Sequence, residues 1–209
     1  MRNWFIAFSV LVLSACAASY LPDNFRLISD SSVFVGNGGG HGSGTIIGPH
    51  RVLTAAHVAE HGNLVVTLAD GTTRKAALLW KSEKEDAAIL KLEGASVRGA
   101  ATLDCDPVEV GEPLAWVGNP LQMTRVYNSG FASGQITTVY LKGQQLVPVS
   151  ALFNPGDSGS GLFSPDGRVR GVVSAFAVTQ LGFMGASQSG IGLMTPTSVF
   201  CDEMKAGLK

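Results

Sequence analysis

A histidine, an aspartate and a serine stand in three separate short motifs of this sequence. His57 ends the run VLTAAH (52–57), Asp86 begins the run DAAILKL (86–92), and Ser158 lies in NPGDSGSG (154–161). A serine hydroxyl needs a base to take its proton as it attacks, and histidine suits this role because its usual pKa of about 6.5 lies near neutral pH. A carboxylate on the second ring nitrogen holds such a histidine in one tautomer. These residue types together favour covalent catalysis by an activated serine.

The glycines around Ser158 allow the sharp backbone turn that an exposed nucleophile needs. They let the N–H groups of Gly156 and Ser158 converge, where the pair would stabilise the negatively charged oxygen of a tetrahedral intermediate. A serine in a glycine-rich segment is often only part of a turn. The motif therefore gains its meaning from the other two motifs.

The carboxylate of this set has alternatives. Asp86 begins an apolar strand, which is a good place to bury one carboxylate against His57. Asp70 and Glu85 are the other candidates. Asp70 is better explained by the pair Asp70-Gly71, because glycine accepts the positive φ of a tight hairpin turn. We therefore expect Asp86 to be the partner of His57.

Short apolar or alternating runs, typical of strands, fill most of the chain from residue 45 to residue 194. They form two series, divided by the polar stretch 93–106. Many short strands without interleaved helices indicate an all-β barrel or sandwich. Only the end of the chain has a helical pattern, with Thr195 as a cap and Pro196 at the first helical position.

Composition and charge exclude some classes of protein. The net charge is −1 at pH 7, and no cluster of Lys and Arg offers nucleic acid an electrostatic binding surface. The cysteines and histidines lack the spacing of a zinc site, so no metal is expected. We expect His41, His50 and His61 to be surface or loop residues. The chain is long enough for one large domain or two small barrels.

The N-terminus has the pattern of an export signal. One positive charge precedes a ten-residue apolar run, Trp4–Leu13, which is too short to span a bilayer as a permanent helix. Residues 13–16 (LSAC) resemble the lipobox of bacterial lipoproteins, in which the cysteine is lipidated. We expect Cys16 to anchor the protein to the membrane at the periplasmic face of the bacterial cell envelope. Ordinary signal cleavage, giving a soluble secreted or periplasmic protein, and an uncleaved leader are the alternatives.

In their order along the chain, the three motifs resemble those of the trypsin/chymotrypsin family of serine proteases. The resemblance runs from about Gly42 to Met204. The segments GSGTII (42–47), VGNP (117–120) and GIGLMTP (190–196) are closest to the bacterial high-temperature-requirement, or Deg-type, proteases. The resemblance implies an all-β fold of two six-stranded antiparallel β-barrels with a short C-terminal helix. It also implies a serine endopeptidase that acts on protein or peptide substrates through an acyl-enzyme and needs no cofactor.

The domain boundaries follow from the signal and the resemblance. We expect a signal peptide over 1–16, a tether over 17–32 and the protease domain over 33–209, with the first barrel at about 33–98 and the second at about 107–209. The rival interpretation is a non-catalytic lipoprotein that keeps the peptidase fold as a binding module. A degenerate triad would be its signature, and His57, Asp86 and Ser158 are all present.

Substrate preference is also an expectation from the resemblance. Leu152, six residues before Ser158, corresponds to the base of the pocket for the P1 side chain. An apolar residue there cannot pair with Lys or Arg, so an uncharged P1 residue is expected. Ser174, Ala175 and Phe176 match the family strand that binds the substrate backbone.

Cys105 and Cys201 are disulfide candidates in an exported protein. In trypsin a bridge joins the linker between the barrels to the start of the C-terminal helix, and these two cysteines occupy similar positions. The alternative is two separate thiols, each buried as a small apolar side chain.

Overall fold

The computed structural model describes residues 24–60, 62–121, 123–133, 139–141, 143–180 and 186–209. Its helices are α1 (Phe25–Ser31), α2 (Ala56–Ala59) and α3 (Cys201–Gly207), with a 3-10 turn at Thr197–Val199. Its strands are β1 (Ser32–Gly36), β2 (His41–Gly48), β3 (Arg51–Thr54), β4 (Val65–Thr67), β5 (Thr73–Lys81), β6 (Ala88–Leu92), β7 (Thr102–Leu103), β8 (Pro113–Gly118), β9 (Val126–Phe131), β10 (Val139–Leu141), β11 (Gln144–Ser150), β12 (Gly161–Phe163), β13 (Arg168–Gln180) and β14 (Ala186–Pro196).

The first six strands close into a barrel in the order β1-β2-β3-β6-β5-β4. Strands β3 and β6 pair antiparallel, with Leu53 opposite Ile89 and Thr54 opposite Ala88. Apart from Arg51 and Lys91, every residue of these two strands is buried. Such strands are covered on both faces, which is why their sequences do not alternate between apolar and polar residues. The segments that follow β3 and precede β6 are therefore held next to each other.

The second unit is a curled antiparallel sheet in the order β10-β11-β14-β13-β12-β8-β9, with β7 paired to β13. Trp116 and Phe153 fill its core, edge to face, with ring centroids 5.1 Å apart. Within the described residues, an isolated bridge joins Ala132, next to the end strand β9, to Val149 in β11 on the other side of the sheet. The prediction of an all-β fold with two strand units is confirmed. Within the described residues, the second unit is a curled half-barrel rather than the closed six-stranded barrel that was expected.

Two local expectations differ from the structure. The stretch expected to be a tether contains α1, because Ile28 is apolar and packs into the core with no exposed surface. Thr195 and Pro196, expected to start the C-terminal helix, end β14 instead, and α3 begins only at Cys201. No helix in the described part of the chain is long and apolar enough to cross a membrane.

Candidate active site

Two neighbouring strands of the first barrel bring His57 and Asp86 together. His57 lies in α2, just after β3, and Asp86 lies two residues before β6. His57 Nδ1 is 2.8 Å from Asp86 Oδ2, and the main-chain N–H of His57 donates to Asp86 Oδ1 over 3.0 Å. Because an ionised carboxylate only accepts hydrogen bonds, Nδ1 carries the hydrogen. Nε2 is left free to take a proton.

The surroundings of this pair shift the pKa values of its two side chains in opposite directions. The hydrogen bond to Asp86 raises the pKa of His57 above its usual 6.5, although burial opposes the change. Burial acts to raise the pKa of Asp86, but the hydrogen bonds from His57 and Ser174 and the nearby imidazole together hold that pKa below its usual value. The Asp86 side chain is 7% exposed and the His57 side chain 45%. The buried, ionised carboxylate of Asp86 thus contacts an imidazole, that of His57, which is accessible from the cleft.

Ser158 lines the same cleft as His57, where the first barrel meets the second sheet. The cleft has a volume of about 680 Å³ and is lined by Asn37, Gly38, Gly39, Gly40, His41, His57, Val58, Gly62, Asn63, Pro155, Gly156 and Ser158. Within the described residues, Ser158 forms hydrogen bonds only through its main chain. Its carbonyl accepts from the N–H of Ser43 over 2.7 Å. Among the described residues, His57 and Ser158 share the cleft without a hydrogen bond between their side chains. Contacts between a serine and its base are often loose without substrate.

Gly156 adopts a conformation that only glycine tolerates at this place. Its φ is +101°, in the left-handed region, and a Cβ atom there would collide with the Asn119 carbonyl oxygen and His41 Nε2. In the part of the chain that the structure describes, the N–H groups of Gly156 and Ser158 donate to no protein acceptor. Both predicted oxyanion donors are therefore available to a substrate oxygen.

In the sequence, the residues predicted to bind substrate come before and after the loop that carries Ser158. Ala175 and Phe176 are in β13 and pair with β14, with Phe176 opposite Gly192. Leu152 is 53% exposed, whereas the adjacent Phe153 is 1% exposed. The Phe153 ring occupies the space that a side chain at Gly192 would need. An exposure this high suits the rim of a pocket better than its base, so the role of Leu152 stays a prediction.

Three residues in or next to the cleft were not singled out as functional from the sequence. Ser43 and Asn119 are buried polar residues. Ser43 donates to Gly156 in the nucleophile loop (residues 154–161, named for the predicted nucleophile Ser158), and Asn119 donates to Ser43. His41, expected to be a surface or loop residue, is instead half-buried in the cleft and stacks on Phe34 with ring centroids 5.1 Å apart. The sequence signal for Ser43 and Asn119 was their presence in the segments 42–47 and 117–120, whose resemblance indicated the family but not a role. His50 lies in the turn between β2 and β3, and His61 lies outside the described residues.

Asp157, the residue before Ser158, has a carboxyl group with no exposed surface. One oxygen, Oδ2, accepts from the N–H of Asn154 over 2.9 Å, and the other, Oδ1, has no hydrogen-bond partner among the described residues. The Ser160 hydroxyl, also buried, is likewise unpartnered within this part of the chain. Burial raises the pKa of Asp157 to about 6, against a smaller opposing effect of the Asn154 hydrogen bond. This carboxyl group therefore titrates near neutral pH.

The predicted disulfide pair is not among the residues that line the cleft. Cys105 and Cys201 have Cα atoms 5.9 Å apart, with their sulfur atoms within bonding distance. That Cα separation falls in the usual range for a disulfide. Cys16, the predicted lipidation site, lies outside the described residues.

A closed six-stranded barrel, a second curled antiparallel sheet and a His–Asp pair facing a serine across their junction define a chymotrypsin-type peptidase fold. The family described as trypsin-like peptidase domain matches residues 42–172. The chain belongs to this family of trypsin-like peptidase domains.

Individual relatives fit the same family. The chain is 31% identical over 207 residues to the serine protease Do-like HtrA of Lactococcus lactis subsp. lactis, covering 86% of this chain and 50% of that protein. It is 33% identical over 152 residues to the protein named "Probable periplasmic serine endoprotease DegP-like" of Halomonas elongata, covering 70% of this chain and 31% of that protein. The crystal structure of the serine endoprotease from Yersinia pestis has the same fold, with a TM-score of 0.72 and 21% identity over 88% of this chain and 65% of that one. The chain spans half or less of the length of these curated relatives.

Proposed function

We propose that this protein is an exported serine endopeptidase with His57, Asp86 and Ser158 as its catalytic triad. The observation that carries the proposal is the 2.8 Å contact between His57 Nδ1 and Asp86 Oδ2 in the cleft that Ser158 also lines. Membership of the trypsin-like peptidase family supports the reaction class.

In the proposed reaction, Ser158 Oγ attacks the carbonyl carbon of the scissile peptide bond while His57 Nε2 takes the hydroxyl proton. The carbonyl oxygen becomes negatively charged and accepts hydrogen bonds from the N–H groups of Gly156 and Ser158. Asp86 stays ionised and stabilises the imidazolium. The tetrahedral intermediate then collapses, and the leaving amine departs with the proton from His57.

The acyl-enzyme that remains is hydrolysed by the same groups. His57 takes a proton from a water molecule as the water attacks the acyl carbon, and the oxyanion donors act a second time. His57 then returns the proton to Ser158 Oγ, which releases the new carboxyl terminus. Each cycle consumes one water molecule and restores the enzyme.

A fluorophosphonate probe tests the proposal directly, since it reacts with an activated serine. We expect wild-type protein to be labelled and Ser158→Ala to lose the label. Ser160→Ala is the matched control, because Ser160 lies in the same motif but has no exposed surface. Folded wild-type protein that resists the probe and cleaves no peptide in a diverse library would overturn the proposal.

Substrate preference and location are proposed on the sequence and on the relatives. We propose peptide substrates with an uncharged P1 residue, bound along Ser174, Ala175 and Phe176 and next to Leu152. We further propose export with a lipid anchor on Cys16, since the leader has a lipobox-like LSAC and one relative is named as periplasmic. Membrane partitioning that is lost in Cys16→Ser would support the anchor, whereas a mature N-terminus without lipid in mass spectrometry would exclude it.

A further inference from the structure

Ser43, a buried residue of β2, connects the nucleophile loop to the turn after β8. Its side chain has no exposed surface. Ser43 Oγ lies 2.8 Å from the Gly156 carbonyl oxygen, 3.0 Å from the Asn119 main-chain nitrogen and 2.9 Å from Asn119 Nδ2. Both Asn119 groups only donate, so they occupy the acceptor sites of the hydroxyl. The single Ser43 proton must therefore point to Gly156.

Asn119 is held on every side. Besides its two bonds to Ser43, its Nδ2 donates to the Val33 carbonyl over 3.3 Å, and its Oδ1 accepts from the N–H of Arg125 over 3.1 Å. Its own carbonyl accepts from His41 Nε2 over 3.0 Å. Asn119 is only 2% exposed, and each of its polar groups forms a hydrogen bond. These bonds fix the position at which the turn after β8 begins.

That turn reaches back to the nucleophile loop through Leu121. The N–H of Leu121 donates to the Pro155 carbonyl over 2.6 Å. A trans peptide is planar, with its C=O and N–H pointing in opposite directions. Because the Pro155 carbonyl points to Leu121, the N–H of Gly156 in the same peptide points away from Leu121.

The second oxyanion donor is oriented by the same principle. The Asp157 carbonyl accepts from the N–H of Ser160 over 2.9 Å, which turns the N–H of Ser158 the other way. Ser43 holds the two peptides that flank this one by their carbonyls. Its hydroxyl donates to the Gly156 carbonyl, and its main-chain N–H donates to the Ser158 carbonyl over 2.7 Å. Of the four carbonyls from Pro155 to Ser158, Ser43 thus holds two directly, and the turn that Asn119 fixes holds the Pro155 carbonyl through Leu121.

We propose that Ser43 and Asn119 are positioning residues for the oxyanion hole, which hold the Gly156 and Ser158 N–H groups toward the reacting carbonyl oxygen. This inference rests on the proposed function. Neither side chain touches the substrate. Their effect is exerted on the charge that develops during reaction, so their loss lowers kcat and leaves KM almost unchanged.

The test compares Ser43→Ala with Thr45→Val. Thr45 is two residues further along β2 and equally buried, and its hydroxyl accepts from the N–H of Gly161 over 2.9 Å, outside the oxyanion peptides. Each variant removes one buried hydroxyl. We expect both to lower the melting temperature. Only Ser43→Ala should lower kcat, by about tenfold to a hundredfold, which is less than the effect of losing an oxyanion donor outright.

Asn119→Asp provides a second variant with a different physical effect. It keeps the side-chain oxygen that accepts from Arg125 but replaces the Nδ2 donor next to Ser43 by an acceptor. The Ser43 hydroxyl would then turn to the introduced carboxylate and release the Gly156 carbonyl. We expect a fall in kcat of at least about tenfold with KM within about threefold of wild type. This variant decides the matter if Ser43→Ala does not fold.

Kinetics are measured on peptide substrate, with kcat expressed per active site titrated by the fluorophosphonate and folding checked by thermal melts. An active wild type with Ser43→Ala at full kcat would overturn the positioning role and leave the peptidase proposal standing. A Thr45→Val variant that loses as much kcat as Ser43→Ala would also overturn it. An inactive wild type would instead refute the proposed function.

Discussion

The hydroxyl of Ser174 donates a hydrogen bond to Asp86 Oδ2 over 2.5 Å. The same oxygen accepts from His57 Nδ1, so Ser174 and His57 share one acceptor. Ser174 was predicted to bind substrate through its strand, which stays a prediction, and its side chain also contacts the candidate triad. A donor that stabilises the negative charge of Asp86 also weakens the pull of Asp86 on the proton of His57.

We therefore predict that Ser174→Ala raises the pKa of His57. Without the Ser174 donor, the carboxylate charge is less stabilised and holds the imidazolium more strongly. The acid limb of the kcat/KM profile should move to higher pH, by up to about one unit. Activity above the limb should fall less than about tenfold, since the other parts of the site remain. An acid limb that stays in place or moves to lower pH would contradict this prediction.

The pH profile of the wild type follows from the raised pKa of His57. His57 must be neutral to act as a base, and its hydrogen bond to Asp86 raises its pKa above 6.5. We expect kcat/KM to rise with pH through an apparent pKa above 6.5. Activity that is flat from pH 5 to pH 8 would argue against His57 as the base.

Asp86→Asn should reduce kcat by about 10⁴-fold, as the corresponding change does in a Ser-His-Asp triad, because the wrong tautomer is then favoured.

The raised pKa of Asp157 leads us to expect that the stability of the protein changes with pH. Its pKa is about 6 in the folded protein, against the usual 3.8. A raised folded pKa gives a stabilisation that is fully present below pH 3.8 and is lost as pH rises through about 6. Ionising this buried carboxyl therefore costs up to about 3 kcal/mol, from the shift of about two pKa units.

Asp157→Asn removes this titration and keeps the side-chain shape. The Asn154 N–H retains an acceptor, and the new amide group would lie near the unpartnered Ser160 hydroxyl. We expect the variant to gain stability relative to wild type at pH 8 but not at pH 4. The measurement is urea unfolding of both proteins across this pH range. Equal pH slopes in the two proteins would show that Asp157 does not titrate in this range.

The sequence predicted what depends on local pattern. His57, Asp86 and Ser158 could be chosen because each lies in a recognisable motif, and the strands could be found because their apolar residues are short runs with turn residues between them. The helix α1 was missed because its seven residues are mostly polar, and only the burial of Ile28 explains why it forms. A segment this short folds through its tertiary contacts rather than its helical propensity.

Other parts of the site depend on contacts between distant residues. Ser43 and Asn119 are 76 positions apart, and no pattern in either segment predicts that their side chains meet. The exposure of the predicted pocket residue Leu152 has the same origin. Leu152 is exposed while the adjacent Phe153 is buried, because the Phe153 ring packs against Gly192, 39 positions further along the chain.

Leu152 provides a direct test of substrate preference. Its side chain is exposed, so replacement should cost little stability, within about 0.5 kcal/mol. If Leu152 borders the P1 pocket, Leu152→Asp should raise kcat/KM for Arg or Lys over Ala at P1 by at least about tenfold, through one partly desolvated ion pair. Leu152→Asn is the matched uncharged control. An unchanged ratio in Leu152→Asp would place the P1 side chain elsewhere, with Phe153 as the next candidate to vary.

Cys105 and Cys201 provide the last prediction, a disulfide between the inter-sheet linker and the start of α3. The two Cα atoms are 5.9 Å apart and 96 positions apart in sequence. A bridge over such a long loop stabilises by up to about 4 to 5 kcal/mol in the chain-entropy model, and measured values are often smaller. At about 2 to 4 °C per kcal/mol for a domain of this size, reduction should lower the melting temperature by up to about 20 °C.

The control for this disulfide is the double variant Cys105→Ser with Cys201→Ser. It should melt at the temperature of the reduced wild type and show no response to a reducing agent. Thiol titration then checks the chemistry in protein that is denatured but not reduced. Because a lipidated Cys16 carries a thioether, the processed wild type should show no free thiol. Two titratable thiols, together with a melting temperature that does not respond to reduction, would identify two separate buried cysteines instead.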